Sequence, residues 1–281
     1  MIKVNNKEIE FTKFPNGETN MNHLSFPEIE ESTVDVVFKY EEDGDLIRLM
    51  FVKEYLDSFF LGFVSLLIYS MPYGRMDRSE NDSPFTLKYV SKFINSLGFH
   101  GVDIIEPHSN VTTALIDNSA AHFINFDLIN EVMTDVDFNV ETDYIMFPDG
   151  GASSRYKNMK FPNILIGHKN RDFTTGKING LDVIGDLAHT PNKVIIVDDL
   201  SSYGGTFVHS SKKLKELGFN EVYLLVAHAE NSIFKGELFD HVDKVFTTDS
   251  MLTEQDYWEN KKFQDQLVVF ELRREEEITI D

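Results

Sequence analysis

One segment limits the choice of fold more than any other: Lys193-Val-Ile-Ile-Val-Asp198-Asp199-Leu-Ser-Ser-Tyr-Gly204-Gly205-Thr206. Val194 to Val197 are four apolar residues in a row. Such a run reads as a strand covered on both faces, the habit of parallel sheets enclosed by helices. Two carboxylates follow where that strand is expected to end, and then the loop Ser202-Tyr203-Gly204-Gly205-Thr206. Phe207, Ser211, Leu214 and Leu217 next recur on one helical face, with Gly218 as the stop. Strand, acidic pair, glycine loop and helix start together suit a sugar phosphate. The glycines let backbone N–H groups approach phosphate oxygens, and the helix N-terminus adds partial positive charge. Asp198 and Asp199 sit where they can hold ribose hydroxyls or a magnesium ion. An ordinary strand-to-helix connection is the competing reading. The acidic pair combined with Gly-Gly-Thr favours the cradle.

The same alternation runs along the chain. Val34 to Lys39, Val64 to Tyr69, Val102 to Ile105, Tyr144 to Phe147, Asn163 to Ile166, Val222 to Ala227 and Lys244 to Thr247 are expected strands. Asp45 to Phe63 is an expected helix, as is Phe85 to Leu97, which Gly98 closes. Asn16-Gly17 marks a tight turn near the start, and Asn118 to Asn125 reads as irregular. This order predicts an α/β fold with mostly parallel sheets flanked by helices. Ligands of such sheets lie at the carboxyl ends of strands. Two βα-rich halves are expected, 1–127 and 128–281.

Composition narrows the function. The chain has 281 residues, enough for two α/β domains, and 42% of them are hydrophobic, enough for a proper core. It has no cysteine, which excludes disulfides and thiolate metal sites and fits a reducing compartment. His168, His189, His209 and His228 lack the spacing of a zinc site. The longest apolar run, Leu61 to Tyr69, is too short to span a bilayer, and the first residues lack a signal-peptide core. A cytoplasmic protein without a membrane partner is expected. The 26 basic and 47 acidic side chains leave a net charge of −21, which repels nucleic-acid backbones, so no nucleic-acid partner is expected. Any polyphosphate site in that field needs locally gathered Lys and Arg, bound magnesium, or both.

Six segments in order resemble the motifs of the phosphoribosyl pyrophosphate synthetases, or ribose-phosphate diphosphokinases, and together they cover most of the chain. Phe14-Pro-Asn16-Gly-Glu18-Thr19 resembles the loop that reaches the adenine of a neighbouring subunit. Met71-Pro-Tyr73-Gly-Arg75-Met-Asp77-Arg78 resembles the ATP-binding segment. Glu106-Pro-His108 is similar to Asp-Leu-His, whose histidine helps to position the metal–ATP. Phe147-Pro-Asp149-Gly150-Gly151-Ala152 is similar to the segment whose aspartate serves the metal. Ile166-Gly-His168-Lys169-Asn-Arg171 resembles the segment with the catalytic lysine and arginine. The sixth is the acidic-pair loop, which resembles the family's phosphoribose-binding loop.

The resemblance implies two phosphoribosyltransferase-like domains, ATP and a ribose phosphate as substrates, Mg2+ as cofactor and a homo-oligomer, dimer or hexamer. It implies catalytic roles for Lys169 and Arg171, and ATP contacts from Phe14, Asn16, Glu18, Arg75, Asp77 and His108. His108 and Asp149 would serve the metal, and Asp198, Asp199 and Ser202 to Thr206 the ribose phosphate. The family's reaction moves the β,γ-diphosphoryl group of ATP onto an anomeric hydroxyl, so positioning and charge neutralisation dominate its catalysis. Lys169 and Arg171 are expected just after a strand, at the start of a mobile flap, Thr174-Thr-Gly176-Lys-Ile-Asn-Gly180. Tyr73, or Phe14 from another chain, is either an adenine-stacking ring or a packing ring.

The pattern breaks in three places. Ser202 and Tyr203 replace an aspartate and a threonine of the acceptor loop, Met76 replaces a glutamine of the ATP segment, and no opening strand and helix are expected before Phe14. The altered loop admits ADP-ribose, which some viral relatives are thought to use, as an acceptor beside ribose 5-phosphate. A catalytically inactive regulatory relative and a phosphoribosyltransferase are the alternatives. The ATP-like segment around Arg75 speaks against the second, and the set Lys169, Arg171, His108 and Asp149 against the first.

Overall fold

A computed structural model describes residues 1–29, 32–80, 82–171, 178–253 and 261–272, with the backbone alone for 169–171 and 178–181. The chain divides into two compact units, Met1–Phe123 and Ile124–Asp281. Both are sheets with helices packed on them, as alternating periodicities require.

The first unit opens with a hairpin, β1 (Ile2–Val4) and β2 (Lys7–Glu8), turned by Asn5 and Asn6 at positive φ. A second ribbon follows, β3 (Phe11–Lys13) and β4 (Thr19–Met21). Then come β5 (Thr33–Phe38), α1 (Gly44–Asp57), β6 (Phe63–Ile68), α2 (Thr86–Ser96), β7 (Gly101–Ile105), α3 (Val111–Leu115) and β8 (Ser119–His122). The sheet order is β2-β1-β5-β6-β7-β8, parallel from β5 to β8, with β1 antiparallel to β5. Val34, Val36 and Phe38 of β5 and Leu66 and Ile68 of β6 are buried with Leu49, Val52 and Leu56 of α1 and Leu87 and Ile94 of α2.

Three expectations need correction here. The helix expected to reach Phe63 stops at Asp57, because Phe59 to Phe63 turn the chain into β6. The supposedly irregular Asn118 to Asn125 contains β8, whose Ser-Ala-Ala-His sequence lacks strand periodicity. Neither an opening strand nor a helix is expected before Phe14, yet the β1–β2 hairpin stands there, because Ile2, Val4 and the Asn5-Asn6 turn let this short segment add to the edge of the sheet beside β5.

The second unit runs α4 (Asn125–Asp135), β9 (Tyr144–Phe147), α5 (Gly150–Arg155), β10 (Ile164–Arg171), β11 (Ile178–Ile184), β12 (Lys193–Ser201), α6 (Gly205–Glu216), β13 (Glu221–Ala229), β14 (Lys244–Thr248) and β15 (Leu267–Phe270). The division at 123/124 leaves α4 whole, whereas a split at 127/128 would cut it. Asn125 Nδ2 binds both the Tyr156 hydroxyl and the Asp198 carbonyl, each at 2.8 Å, which ties the start of α4 into this unit.

Its sheet order is β11-β10-β9-β12-β13-β14-β15, all parallel except for the β10–β11 pair. Strand alternation sorts the side chains into two cores. Tyr144, Met146, Val194, Ile196, Val222 and Leu224 pack with Phe207 and Leu214 of α6. Ile145, Phe147, Ile195, Val197 and Leu225 pack on the other face with Ile129 and Val132 of α4 and Ala152 of α5. The continuous apolar run of β12 is thus covered on both faces. Among the described residues, no helix is long and apolar enough to cross a membrane.

Candidate functional site

The strand order of the second unit contains a reversal. From β9 the chain moves outward to β10 and β11, then returns to lay β12 along the other side of β9. Loops leaving β9 and β12 therefore diverge to opposite sides, and a crevice opens at their carboxyl ends. The Asp149 loop leaves β9 and the acidic-pair loop ends β12, so both motifs meet at this switch point.

Asp198 and Asp199 lie within β12, which runs on to Ser201, not beyond its end as expected. Pairing of Leu200 with His228 and Ser201 with Ala229 of β13 keeps the strand going past the pair. As neighbours on a strand the two carboxylates start toward opposite faces. Arg155, from the last turn of α5, draws them together: its Nη1 lies 2.9 Å from Asp199 Oδ1 and 3.4 Å from Asp198 Oδ1. All three groups are largely buried. Burial, and then the neighbouring charge of Asp199, push the Asp198 carboxyl well above the usual range, and Arg155 opposes that shift. Sequence reasoning did not find Arg155. The available signal was a lone cation six residues after Asp149, a spacing that carries it back past the strand ends once Gly150–Arg155 is helical.

Asp149 is the N-cap of α5. Its Oδ1 accepts from the N–H groups of Gly151 and Ala152, both at 3.0 Å, which fixes the carboxylate at the strand end. A rigid carboxylate there fits magnesium, which takes one or two protein carboxylates and keeps waters and substrate phosphates. Among the described residues no group of three or more metal-binding side chains forms a protein-only cage.

In the Ser202–Thr206 loop, Gly204 is left-handed at φ +79, and a Cβ there would lie 2.9 Å from Leu238 Cβ. The helix begins at once: Phe207 and Val208 both donate to the Gly204 carbonyl. The N–H groups before them precede the helical ladder and face the positive end of α6. Tyr203 is 60% exposed. Ser202 Oγ lies 3.0 Å from Ser232 Oγ, which donates to Glu230 Oε2 at 3.1 Å.

Lys169 and Arg171 fall on β10, not after it, because the strand outruns the sheet. Register with β9 ends at Ile166, and from Gly167 onward β10 pairs with β11 alone, Lys169 opposite Leu181 and Arg171 opposite Ile178. The side chains of Lys169 and Arg171 lie outside the described residues, as do residues 174–177 of the expected flap. Gly167 is where the ribbon leaves the sheet, and its missing Cβ would lie 2.5 Å from the Pro148 carbonyl oxygen.

The first unit gathers Arg75, Asp77 and His108 on the segments that follow β6 and β7. Tyr73 (φ +61) and Glu106 (φ +40) are both left-handed, a rare state for such side chains outside functional loops. Gly74 packs beside His108: a Cβ on it would lie 3.8 Å from His108 Cβ. The Arg75 and His108 loops are therefore neighbours, with Arg75 exposed and His108 half-buried. Asp77 is buried and lies 3.3 Å from Arg78 Nε. Tyr73 is held rather than loose: its hydroxyl and that of Tyr40 both donate to Asp43 Oδ1. Those hydrogen bonds lower the Asp43 carboxyl, and the bond to Asp43 together with burial raises Tyr73. Phe14, Asn16 and Glu18 crown the β3–β4 ribbon on an exposed tip, where Gly17 turns at φ +90 and Asn16 Oδ1 accepts from the Glu18 N–H at 3.2 Å. Lys13 ties the ribbon to Glu42 at 2.9 Å, on the β5–α1 connection.

No family model matches the chain. Among curated proteins it is 26% identical over 256 residues to a ribose-phosphate pyrophosphokinase of Sulfolobus acidocaldarius, covering 87% of this chain and 84% of that one. It is 24% identical over 239 residues to that of Saccharolobus solfataricus, covering 81% and 77%. The Pyrococcus furiosus protein of the same name is 25% identical over 253 residues, covering 87% and 86%. Among solved structures, phosphoribosylpyrophosphate synthetase from Mycobacterium smegmatis superposes with a TM-score of 0.72 at 16% identity, covering 94% of this chain and 86% of that one. That likeness shows the same fold.

Proposed function

We propose that this chain, which is similar to ribose-phosphate pyrophosphokinases over most of its length, is an enzyme of that family and transfers the β,γ-diphosphoryl group of ATP to the anomeric 1-hydroxyl of a ribose 5-phosphate-type acceptor. The acceptor oxygen bonds to the β-phosphorus and the bond from that phosphorus to the α,β-bridging oxygen breaks. AMP leaves with that oxygen, and the hydroxyl proton is released.

One observation carries the reading: the acidic pair, the left-handed Gly204 and the start of α6 converge at the switch point of the second unit. Asp198 and Asp199 accept hydrogen bonds from two ribose hydroxyls, and Gly204, Gly205 and Thr206 offer backbone N–H groups to the 5-substituent. Arg75 and Asp77 are assigned to ATP. Phe14, Asn16 and Glu18 are assigned to the ATP of a neighbouring copy, which makes the active form a homo-oligomer. Lys169 and Arg171 are assigned to the transferred phosphoryls, Arg as a planar fork and Lys as a point charge. Asp149 would hold magnesium and His108 would approach the nucleotide's metal or phosphates. When bound, the ion neutralises phosphoryl charge and orients the leaving group.

ADP-ribose is a second acceptor worth separate testing, because Tyr203 is exposed beside Gly204 and offers a ring on which a base can lie. The decisive experiment presents ATP and magnesium with ribose 5-phosphate or ADP-ribose and reads AMP and the pyrophosphorylated product by mass spectrometry. Acceptor-dependent AMP release is expected. Absence of AMP with both acceptors refutes the reading.

A further inference from the structure

The acceptor loop is held from behind by the segment that follows β13. Gly236 backs against the Tyr203 carbonyl so closely that a Cβ would lie 2.2 Å from its oxygen, and Gly204 rests on Leu238. Within this clamp lies a chain of three side chains: Ser202 Oγ is 3.0 Å from Ser232 Oγ, and Ser232 Oγ donates to Glu230 Oε2 at 3.1 Å. The Glu230 N–H also binds the Ser201 carbonyl at 2.9 Å, so the carboxylate is anchored to the strand that carries the loop.

The direction of this chain follows from proton counting. An ionised carboxylate can only accept, so Ser232 gives its single proton to Glu230. With that proton committed, the Ser232 oxygen can only accept from Ser202. The Ser202 proton is therefore spent inside the protein, and lone pairs alone remain for a ligand. A phosphate oxygen facing Ser202 would meet an acceptor, with the negative charge of Glu230 behind it.

Taking the proposed reaction as the premise, we propose that Glu230 and Ser232 are positioning residues that make Ser202 an acceptor-only contact. They set the acceptor loop against a terminal phosphomonoester at that point and in favour of a substrate group carrying an O–H or N–H. Neither residue touches the substrate; both act through Ser202.

Glu230→Gln tests this, because an amide N–H can donate to Ser232 and let the chain reverse, freeing Ser202 to donate. Ser232→Ala frees the same proton by removing its receiver. Both variants are expected to lower KM for ribose 5-phosphate by about five-fold, the worth of one hydrogen bond, and to leave KM for ATP unchanged. Adding Ser202→Ala to either should abolish the gain. A purely structural role would raise KM instead, so unchanged or higher KM in both single variants overturns the proposal. Calorimetric titration with ribose 5-phosphate reads the same preference without turnover, with tighter binding expected in both variants than in the wild type. If the wild type turns over no acceptor, the assigned reaction falls, and the calorimetric comparison still decides the relay.

Discussion

Arg155 Nη1 lies 2.9 Å from Asp199 Oδ1 and 3.4 Å from Asp198 Oδ1, so a single guanidinium touches both members of the acidic pair. Two adjacent carboxylates at the end of a buried strand repel each other and lose hydration together. The guanidinium answers both costs from a helix whose start is fixed by Asp149. Removing one partner of a buried ion pair leaves an uncompensated charge, typically about 3–5 kcal/mol. Arg155→Met should therefore lower the stability of the second unit by about 3 kcal/mol, and Asp199→Asn in that background should restore part of it. Urea unfolding midpoints of the three proteins measure this. An Arg155→Met protein as stable as wild type would remove the pair's dependence on Arg155.

Lys169→Ala and Arg171→Ala should each reduce kcat by about a hundred-fold, on the order of 3 kcal/mol of transition-state stabilisation. Rapid-quench measurement of AMP formation isolates the chemical step. Normal rates in both variants would show that the phosphoryls are neutralised elsewhere.

The two phenols on Asp43 predict an alkaline signature. Burial first, then the bond to Asp43, raise the Tyr40 hydroxyl, and the bond to Asp43 raises Tyr73. A group raised in the folded state stabilises below its unfolded pKa and loses that contribution as pH climbs past it, here above about 10. Thermal midpoints should fall more steeply above that pH in the wild type than in a Tyr40→Phe, Tyr73→Phe double variant. Absorbance near 295 nm gives a second check: Asp43→Asn should lower the titration midpoints of both tyrosines, that of Tyr40 only in part because its burial remains. Superimposable titrations of wild type and variant would contradict the shared-carboxylate geometry.

Gly204→Ala should cost about 1–2 kcal/mol for the left-handed backbone alone, and the contact with Leu238 adds to this. Acceptor KM should rise while ATP KM stays level, since the turn orients only the acceptor loop. Steady-state kinetics with each substrate varied in turn would expose an equal effect on both, which would contradict the assignment.

What the sequence made legible follows from how local each signal is. Val194 to Val197 announced a doubly covered strand because burial on both faces needs no partner to be recognised. Gly204 and Gly218 marked the ends of α6 because positive φ is a property of single residues. Strand ends were harder. Asp198 and Asp199 look like terminators by composition, yet β13 continues alongside and supplies hydrogen bonds through Ser201. β10 likewise outlasts its hydrophobic run because β11 pairs with it beyond the sheet. Arg155, Glu230 and Ser232 were invisible for a different reason. Their meaning lies in what they touch 29 to 44 positions away, and nothing in their immediate neighbours records that contact.

The ribbon that begins at Gly167 has one more consequence. Its two strands satisfy each other's backbone and ask nothing of the sheet after Ile166. Residues added to or removed from both strands in step would preserve the pairing and leave β9, β12 and the acidic pair undisturbed. The reach of the arm that bears Lys169 and Arg171 is thus a separately adjustable dimension of this fold. A lineage could retune it to a longer or shorter substrate without rebuilding the crevice it serves.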